Sequence, residues 1–156
     1  MTHSLDDLIK AGLPQTSLRP VTPHYLEEPR GRWHGQAAAI AAPGETNELA
    51  AIIRACAATR TPVVPFGGGT GLVGGQLAED GAPPVILSLE RMRAIRSFDA
   101  VAGTMTVEAG AILADIHAAA EAEDLIFPLT LASQGSARIG GLLSTNAGGV
   151  NVLRYG

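Results

Sequence analysis

The sequence predicts an α+β fold in which a strand–helix–strand unit is followed by short antiparallel strands and one more helix. The order of the elements leads to this class, and the composition indicates a globular protein. One amphipathic segment lies between two short apolar runs, and further short apolar runs then follow one another, separated by turns. This order differs from the regular alternation of strands and helices in a doubly wound sheet. Hydrophobic residues make up 46% of the 156 residues and charged residues 17%, which is typical of a packed core.

The N-terminal part of the chain predicts a short helix and a surface arm. Residues 5–11 have helical spacing, and Gly12 and Pro14 end the helix. Residues 14–36 contain four prolines and no sustained periodicity, so we expect an arm on the surface. Trp33, the one tryptophan of the sequence, is expected to pin this arm onto the core.

The strand–helix–strand unit is predicted between residues 37 and 66. The apolar runs 37–42 and 62–66 are expected to be buried strands. Between them, Thr46 is expected to cap a helix. The apolar face of that helix consists of Leu49, Ile52, Ile53 and Cys56. Such a unit favours parallel pairing of its strands through a right-handed crossover.

Three more strands and a helix are predicted in the second half of the chain. The strands are expected at residues 85–89, 95–99 and 104–108, separated by turns, which is typical of an antiparallel section. The helix is expected over residues 111–123, with Ile112, Ile116 and Ala119 or Ala120 on one face.

Charge and residue counts exclude several classes of protein. Lys and Arg total 11 against 15 Asp and Glu, and no basic stripe is present, so we expect no nucleic-acid partner. Cys56 is the one cysteine, which excludes an internal disulfide. The histidines His3, His24, His34 and His117 are dispersed and predict no metal site. The sequence predicts no transmembrane segment and no secretory signal, so we expect a cytoplasmic location.

Residues 67–75, GGGTGLVGG, predict an anion-binding loop directly after a strand. Glycines lack a Cβ, so their backbone N–H groups can converge on one point and bind an anion through partial charges. Thr70 adds a hydroxyl that can donate to a phosphate oxygen. The alternative is a flexible glycine loop without a ligand.

The same loop contains the dinucleotide fingerprint G-x-G-x-x-G at residues 69–74, and Glu90 lies near the expected acidic position. That fingerprint requires a helix whose N-terminus faces the diphosphate. The residues that follow, GGQLAEDGAPP, begin with two glycines and end with two prolines, so they predict no such helix. A Rossmann-type NAD-dependent enzyme therefore remains an alternative only, as does a phosphate-ligand binding module without redox chemistry.

A second glycine-rich segment occupies residues 128–149. Its glycine pairs, Gly140-Gly141 and Gly148-Gly149, would let a flat ring press against the backbone. Thr145 and Asn146 carry donors and acceptors suited to a ring edge or a phosphate. The alternative is that these glycines form hairpin turns.

Both segments resemble those of one flavoprotein superfamily. PVVPFGGGTGLVGGQ, residues 62–76, looks like the first FAD loop of the vanillyl-alcohol oxidase and p-cresol methylhydroxylase (PCMH-type) superfamily, in the form found in bacterial D-2-hydroxyacid dehydrogenases. IGGLLSTNAGG, residues 139–149, is similar to its second flavin segment. The cofactor-contacting residues that the resemblance implies are Pro65, Phe66, Gly67, Gly68, Gly69, Thr70, Gly71, Leu72, Gly74, Gln76, Pro128, Leu129, Gly135, Ser136, Ile139, Gly140, Gly141, Thr145, Asn146, Gly148 and Gly149.

The resemblance implies a PCMH-type FAD-binding fold and a role as the FAD-binding portion of a flavin-dependent oxidoreductase. The full protein would oxidise a D-2-hydroxy acid, such as D-2-hydroxyglutarate, D-lactate or glycolate, to the 2-oxo acid by hydride transfer to flavin N5, and would use an electron acceptor. Relatives with covalent flavin use a histidine in the first loop. Thr70 occupies that place here, so the FAD is expected to be non-covalent.

The resemblance also predicts a domain organisation. Residues 1–36 are the N-terminal helix and arm, and residues 37–156 are the first part of an FAD-binding domain that is truncated. In this superfamily the substrate-binding groups come from a later cap domain. We therefore name no catalytic residue, and we expect the chain alone to be inactive.

Overall fold

A computed structural model describes residues 4–155, so His3 lies outside the described residues. Two compact units make up the chain: the first ends at Arg91 and the second begins at Met92. The first unit contains α1 (Leu5–Lys10), a 3-10 turn (Gln15–Ser17), β1 (Leu18–Arg19), α2 (Pro23–Leu26), β2 (Ala39–Ala41), α3 (Thr46–Thr59), β3 (Val63–Phe66) and β4 (Val85–Ser88). The second contains β5 (Ile95–Asp99), β6 (Thr104–Val107), α4 (Leu113–Glu121), α5 (Ile139–Ser144) and α6 (Val152–Tyr155).

The strands of the first unit form one sheet in the order β1-β2-β4-β3. Strand β4 pairs in parallel with both neighbours, so that Ile86 lies opposite Ile40 on one side and Val64 on the other. The unit predicted over residues 37–66 is therefore present, but β4 separates its two strands. The prediction that residues 85–89 belong to an antiparallel section is wrong. Every residue of β4 is buried, and a strand covered on both faces reads as a continuous apolar run in either kind of sheet.

Helix α3 covers the sheet with a narrower apolar face than the sequence predicts. Ile52 and Cys56 are buried in one hydrophobic cluster with β2 and β4, and burial raises the pKa of the Cys56 thiol. Ile53 is 41% exposed because it lies one residue, about 100°, further round the helix. Thr46 is the first helical residue and not the cap, and Glu45 before it provides no side-chain cap.

Glu48 holds the turn that precedes α3. Its carboxylate accepts hydrogen bonds from the Gly44 N–H at 2.6 Å and the Thr16 hydroxyl at 2.9 Å, and it lies 3.6 Å from the Arg91 guanidinium. The Gly44 N–H contributes most to a pKa of Glu48 below its usual value. The ionised carboxylate therefore ties distant parts of the first unit together.

We expect Glu48→Gln to destabilise the chain by about 1–2 kcal/mol at neutral pH. The folded-state pKa lies below the unfolded value of about 4.3. The carboxylate therefore stabilises the fold fully above that value, and the effect is lost as the pH falls through the lower, folded-state pKa. Urea unfolding near pH 7 and near pH 3 measures this, with Glu45→Gln as the matched control. An undiminished difference near pH 3 would contradict the role of the charge.

The segment predicted as a surface arm, residues 14–36, is partly built into the first unit. Strand β1 pairs antiparallel with β2 and extends the sheet. Helix α2 inserts Tyr25, which is buried in a cluster with Ile40, Phe66 and Ile86. Only part of the segment is therefore an arm on the surface.

In the second unit, β5 and β6 form an antiparallel hairpin, as predicted. The buried face of α4 consists of Leu113, Ile116 and Ala120. The helix is shorter than the predicted range 111–123. Ile112, predicted to lie on the packed face, is its N-cap and forms a β-bridge with Arg138.

The glycine pair Gly140-Gly141 lies in α5, so the hairpin alternative is wrong for these residues. The helix ends in a Schellman motif, in which the Asn146 N–H donates to the Leu143 carbonyl and the Ala147 N–H to the Leu142 carbonyl. Asn146 has φ 50°, the left-handed conformation that this motif requires.

Candidate functional site

The glycine loop, residues 67–76, leaves the sheet at the C-terminal end of β3. Phe66, the last residue of β3, is 1% exposed, and its ring lies beneath the loop. Gly69 and Gly74 have φ 67° and 72°, a left-handed backbone that glycine adopts without strain. Residues 67–84 contain no helix, so the element that the dinucleotide fingerprint requires is missing.

The backbone N–H groups of the glycine loop are unused. Within residues 4–155, no N–H from Gly67 to Gln76 donates a hydrogen bond to the protein. Backbone donors are normally paired, so ten consecutive free groups indicate a surface for an acceptor-rich ligand or water. No Lys or Arg lies between Pro65 and Ala78, so an anion on the loop would be held by amide dipoles.

The arm supports the far end of the glycine loop. A Cβ built on Gly74 would lie 3.4 Å from the Trp33 ring, and the Gln36 N–H donates to the Ala78 carbonyl at 2.9 Å. The sequence predicts that Trp33 pins the arm onto the core, and in the structure its partner is the loop. The loop is thus held by β3 at one end and by the arm at the other.

A buried carboxylate shapes the arm just before Trp33. Glu28 is 2% exposed and accepts hydrogen bonds from the N–H groups of Arg30 at 2.9 Å and Arg32 at 2.6 Å. Burial raises the pKa of Glu28, but the two N–H groups, together with the charges of Arg30 and Arg32, outweigh it and leave the pKa below its usual value. The carboxylate thereby fixes the turn that brings Trp33 to the loop.

Glu90, the acidic residue near the fingerprint position, is engaged inside the first unit. It accepts a hydrogen bond from the Tyr25 hydroxyl at 3.0 Å and lies 3.8 Å from the Arg19 side chain. Burial, and then Glu90, raise the pKa of Tyr25, so its phenol is neutral at physiological pH. These contacts give Glu90 a structural role, unlike the ribose-binding acid of the dinucleotide fold.

The second glycine segment, residues 128–149, is fixed from two sides within the second unit. A ring nitrogen of His117 on α4 lies 2.8 Å from the Leu129 carbonyl oxygen. On the other side, the Asn151 amide donates to the Pro128 carbonyl at 3.0 Å, and the Val150 N–H donates to the Thr130 carbonyl at 3.3 Å. His117 and Asn151 are not among the site residues that the sequence implies, because their contacts join residues distant in the chain.

The glycines of the second segment divide into two groups. A Cβ on Gly140 would meet the Ala109 Cβ at 2.7 Å, and one on Gly149 would meet the Thr130 oxygen at 2.5 Å. A Cβ on Gly135 or Gly141 would meet nothing within 4 Å. The first group therefore serves packing of the chain itself, and the second borders open space that a ligand can occupy.

The two polar residues at the end of α5 differ in availability. Thr145 donates its hydroxyl to the Gly141 carbonyl at 2.9 Å, so it can only accept from a ligand. The exposed Asn146 side chain makes no hydrogen bond to the described residues, and its amide can donate and accept. Asn146 is thus a helix-ending residue whose amide is free for a ligand.

The structure places the residues implied by the resemblance in two local sets. In the first unit they lie contiguously, from the end of β3 through the glycine loop. In the second unit, Leu129 lies against Gly149, and Ser136, Gly141 and Asn146 come before, within and after α5. The side chains of Phe66 and Ile139 are buried, so these two residues would act by positioning the backbone. The individual contacts remain predictions.

Each set, taken by itself, fits a part of an FAD molecule in its chemistry. The unused N–H groups of the glycine loop suit a diphosphate, while the open backbone at Gly141 and the free amide of Asn146 suit a flat, hydrogen-bonding ring. Among residues 4–155, no three His, Cys, Asp or Glu side chains are grouped as metal ligands. The same residues include no helix able to span a membrane.

Comparison with known proteins gives matches over most of the chain. A family model described as an FAD binding domain matches residues 37–156. D-2-hydroxyglutarate dehydrogenase of Xanthomonas citri pv. viticola is 44% identical over 133 residues, which cover 85% of this chain and 28% of that protein. D-2-hydroxyglutarate–pyruvate transhydrogenase of Saccharomyces cerevisiae is 40% identical over 125 residues, covering 80% and 25%. The chain spans about a quarter of the length of these relatives.

Solved structures match between 88% and 99% of this chain in backbone fold. Alkyldihydroxyacetonephosphate synthase gives a TM-score of 0.83 at 16% identity, covering 99% of this chain and 32% of that one. The grass pollen allergen Phl p 4, described with glucose dehydrogenase activity, gives 0.69 at 19% identity, covering 88% and 30%. These likenesses confirm the predicted fold.

Proposed function

The chain belongs to the FAD binding domain family, and from this premise we propose that it is the cofactor-binding portion of an enzyme that oxidises a D-2-hydroxy acid to the 2-oxo acid. The resemblance to PCMH-type flavoproteins is confirmed, and FAD is the cofactor. When bound, FAD supplies the redox chemistry, acceptance of a hydride at flavin N5. Relatives named for D-2-hydroxyglutarate support the substrate class. We also propose a cytoplasmic location.

One observation carries the cofactor assignment: the unbroken run of free N–H groups from Gly67 to Gln76. We assign these groups, with the Thr70 hydroxyl, to the FAD diphosphate. The Asn146 amide and the open backbone at Gly141 are assigned to the flavin ring. The remaining residues of the two sets hold these contacting groups in place. Because Thr70 stands where some relatives have a histidine, no histidyl link to flavin can form at this position.

The substrate-binding and catalytic groups are proposed to lie outside this chain, in the part of the longer relatives that it does not span. We propose that residues 37–156 are the first part of the FAD-binding domain, preceded by a helix and arm in residues 1–36. The chain alone should therefore oxidise D-2-hydroxyglutarate or D-lactate with a dye acceptor no faster than free FAD does. Turnover well above that level would contradict this division of roles.

Reconstitution with FAD tests the proposed function. The purified chain should bind about one FAD per chain, detected by flavin absorbance after desalting and by quenching of the Trp33 fluorescence. ADP should compete, because it carries the same diphosphate. Both ADP and NAD should bind more weakly than FAD, because neither carries the flavin ring that is assigned to Gly141 and Asn146. A chain that binds ADP and phosphate but no flavin would favour the alternative, a phosphate-ligand module without redox chemistry.

Two neighbouring glycines provide a matched test of the second segment. Gly140→Ala should destabilise the chain by about 1–3 kcal/mol, because its Cβ would overlap Ala109. Gly141→Ala should leave stability unchanged or raise it by up to about 1 kcal/mol, because Ala suits a helix and its Cβ meets nothing. The same variant should weaken FAD binding about tenfold. Thermal unfolding and FAD titration measure both effects, and unchanged FAD affinity in Gly141→Ala would remove Gly141 from the site.

A further inference from the structure

His24 is an exposed imidazole held against the base of the glycine loop. Its ring lies edge-on to Phe66, with centroids 5.3 Å apart and planes at 74°, and to Tyr25, at 5.0 Å and 65°. A Cβ built on Gly69 would lie 3.7 Å from the His24 Cε1 atom. Two aromatic contacts therefore fix the imidazole beside the third glycine of the loop.

Tyr25, whose ring lies against His24, is already engaged with charged groups of its own. Tyr25 donates its hydroxyl to Glu90, and Arg19 lies 3.8 Å from the same carboxylate. The glycine loop itself carries no charged side chain. His24 makes no hydrogen bond or ion pair with the residues that the structure describes. It is thus an ionisable side chain at the loop whose polar atoms remain available to a ligand.

We propose that His24, as the imidazolium, contacts the FAD diphosphate held on the glycine loop; this assignment rests on the proposed function. A diphosphate diester carries two full negative charges, and the loop offers only partial positive charges on its N–H groups. An imidazolium adds a full charge and a charge-assisted hydrogen bond. A protonated imidazole attracts an anion more strongly than a neutral one, and a falling pH favours the protonated form. FAD affinity should therefore rise as the pH falls.

FAD titrations of the full chain near pH 6 and near pH 8 test this contact through binding, independently of activity. The wild-type chain should bind FAD about fivefold more tightly near pH 6. His24→Gln should lose this dependence and bind about fivefold more weakly near pH 6, whereas His24→Lys should bind tightly at both values. His34→Gln, which removes another exposed histidine of the arm, should behave as wild type. Retention of the wild-type pH profile by His24→Gln would overturn the proposal.

A second readout separates this proposal from the proposed function. In the wild-type chain, added FAD should shift the His24 Cε1–H resonance, and inorganic pyrophosphate should shift it in the same direction. If the chain binds FAD and this resonance does not move, the His24 contact fails while the proposed function stands. If the chain binds neither FAD nor pyrophosphate, both are overturned.

Discussion

Gly69→Val should weaken FAD binding by about a hundredfold. Gly69 has φ 67°, where a residue with a Cβ is strained by about 1–2 kcal/mol. The new Cβ would also lie 2.8 Å from the Cζ atom of Phe66, which is buried and cannot move aside without cost. In the variant, the free loop can relax away from this geometry. FAD binding must then restore it, and this costs free energy. A total of about 3 kcal/mol corresponds to about a hundredfold in affinity.

Gly75→Ala is the matched control for this substitution. Gly75 lies in the same loop, but its backbone is not left-handed and a Cβ there would meet nothing within 4 Å. Its FAD affinity should stay within about threefold of wild type. Fluorescence titration measures both variants, and circular dichroism reports whether each is folded. Equal affinities in folded Gly69→Val and Gly75→Ala would show that the loop geometry at Gly69 does not serve FAD binding.

Trp33→Ala should weaken FAD binding by about tenfold and lower the stability of the chain by about 1–3 kcal/mol. Trp33 is half-buried, so its removal exposes less apolar surface than that of a core aromatic residue. Its indole closes the far end of the glycine loop at Gly74. Without the ring, the loop samples more conformations, and binding must order them again. Trp33 is a positioning residue and need not contact FAD.

Trp33→Phe distinguishes positioning from a direct contact. A phenyl ring can still cover Gly74, so this variant should recover most of the FAD affinity and stability, although it lacks the indole N–H donor. Flavin fluorescence is the suitable readout, since both variants lack the tryptophan. If Trp33→Phe binds FAD as poorly as Trp33→Ala, an indole-specific contact replaces the positioning role.

Local patterns predicted an element well where it depends on neighbouring residues in the sequence. Helix α3 follows from helical spacing, and the β5–β6 hairpin follows from two short strands separated by a turn. The glycine density of residues 67–75 predicted a loop, and the glycines and prolines of GGQLAEDGAPP predicted that no helix follows it; the structure has both features. These features depend on neighbouring residues only, so a single sequence contains the information.

Pairing between distant segments could not be predicted in the same way. Strand β4 is apolar throughout, and such a run fits a central parallel strand or an antiparallel one equally well. Strand β1 has only two residues, too few for an alternating pattern. The contacts of Trp33 with Gly74 and of His117 with Leu129 follow from the packing of whole elements. Gly140 shows the same limit. The lack of a Cβ there makes room for Ala109, which is distant in sequence, so no local pattern predicts the need for glycine.

Amide NMR of the chain with and without FAD tests most directly whether the glycine loop is the diphosphate site. The N–H resonances from Gly67 to Gln76 should shift on addition of one equivalent of FAD, and their hydrogen exchange should slow. ADP should shift the same resonances, because it carries the same diphosphate. FAD binding that leaves these amides unshifted and unprotected would contradict the account.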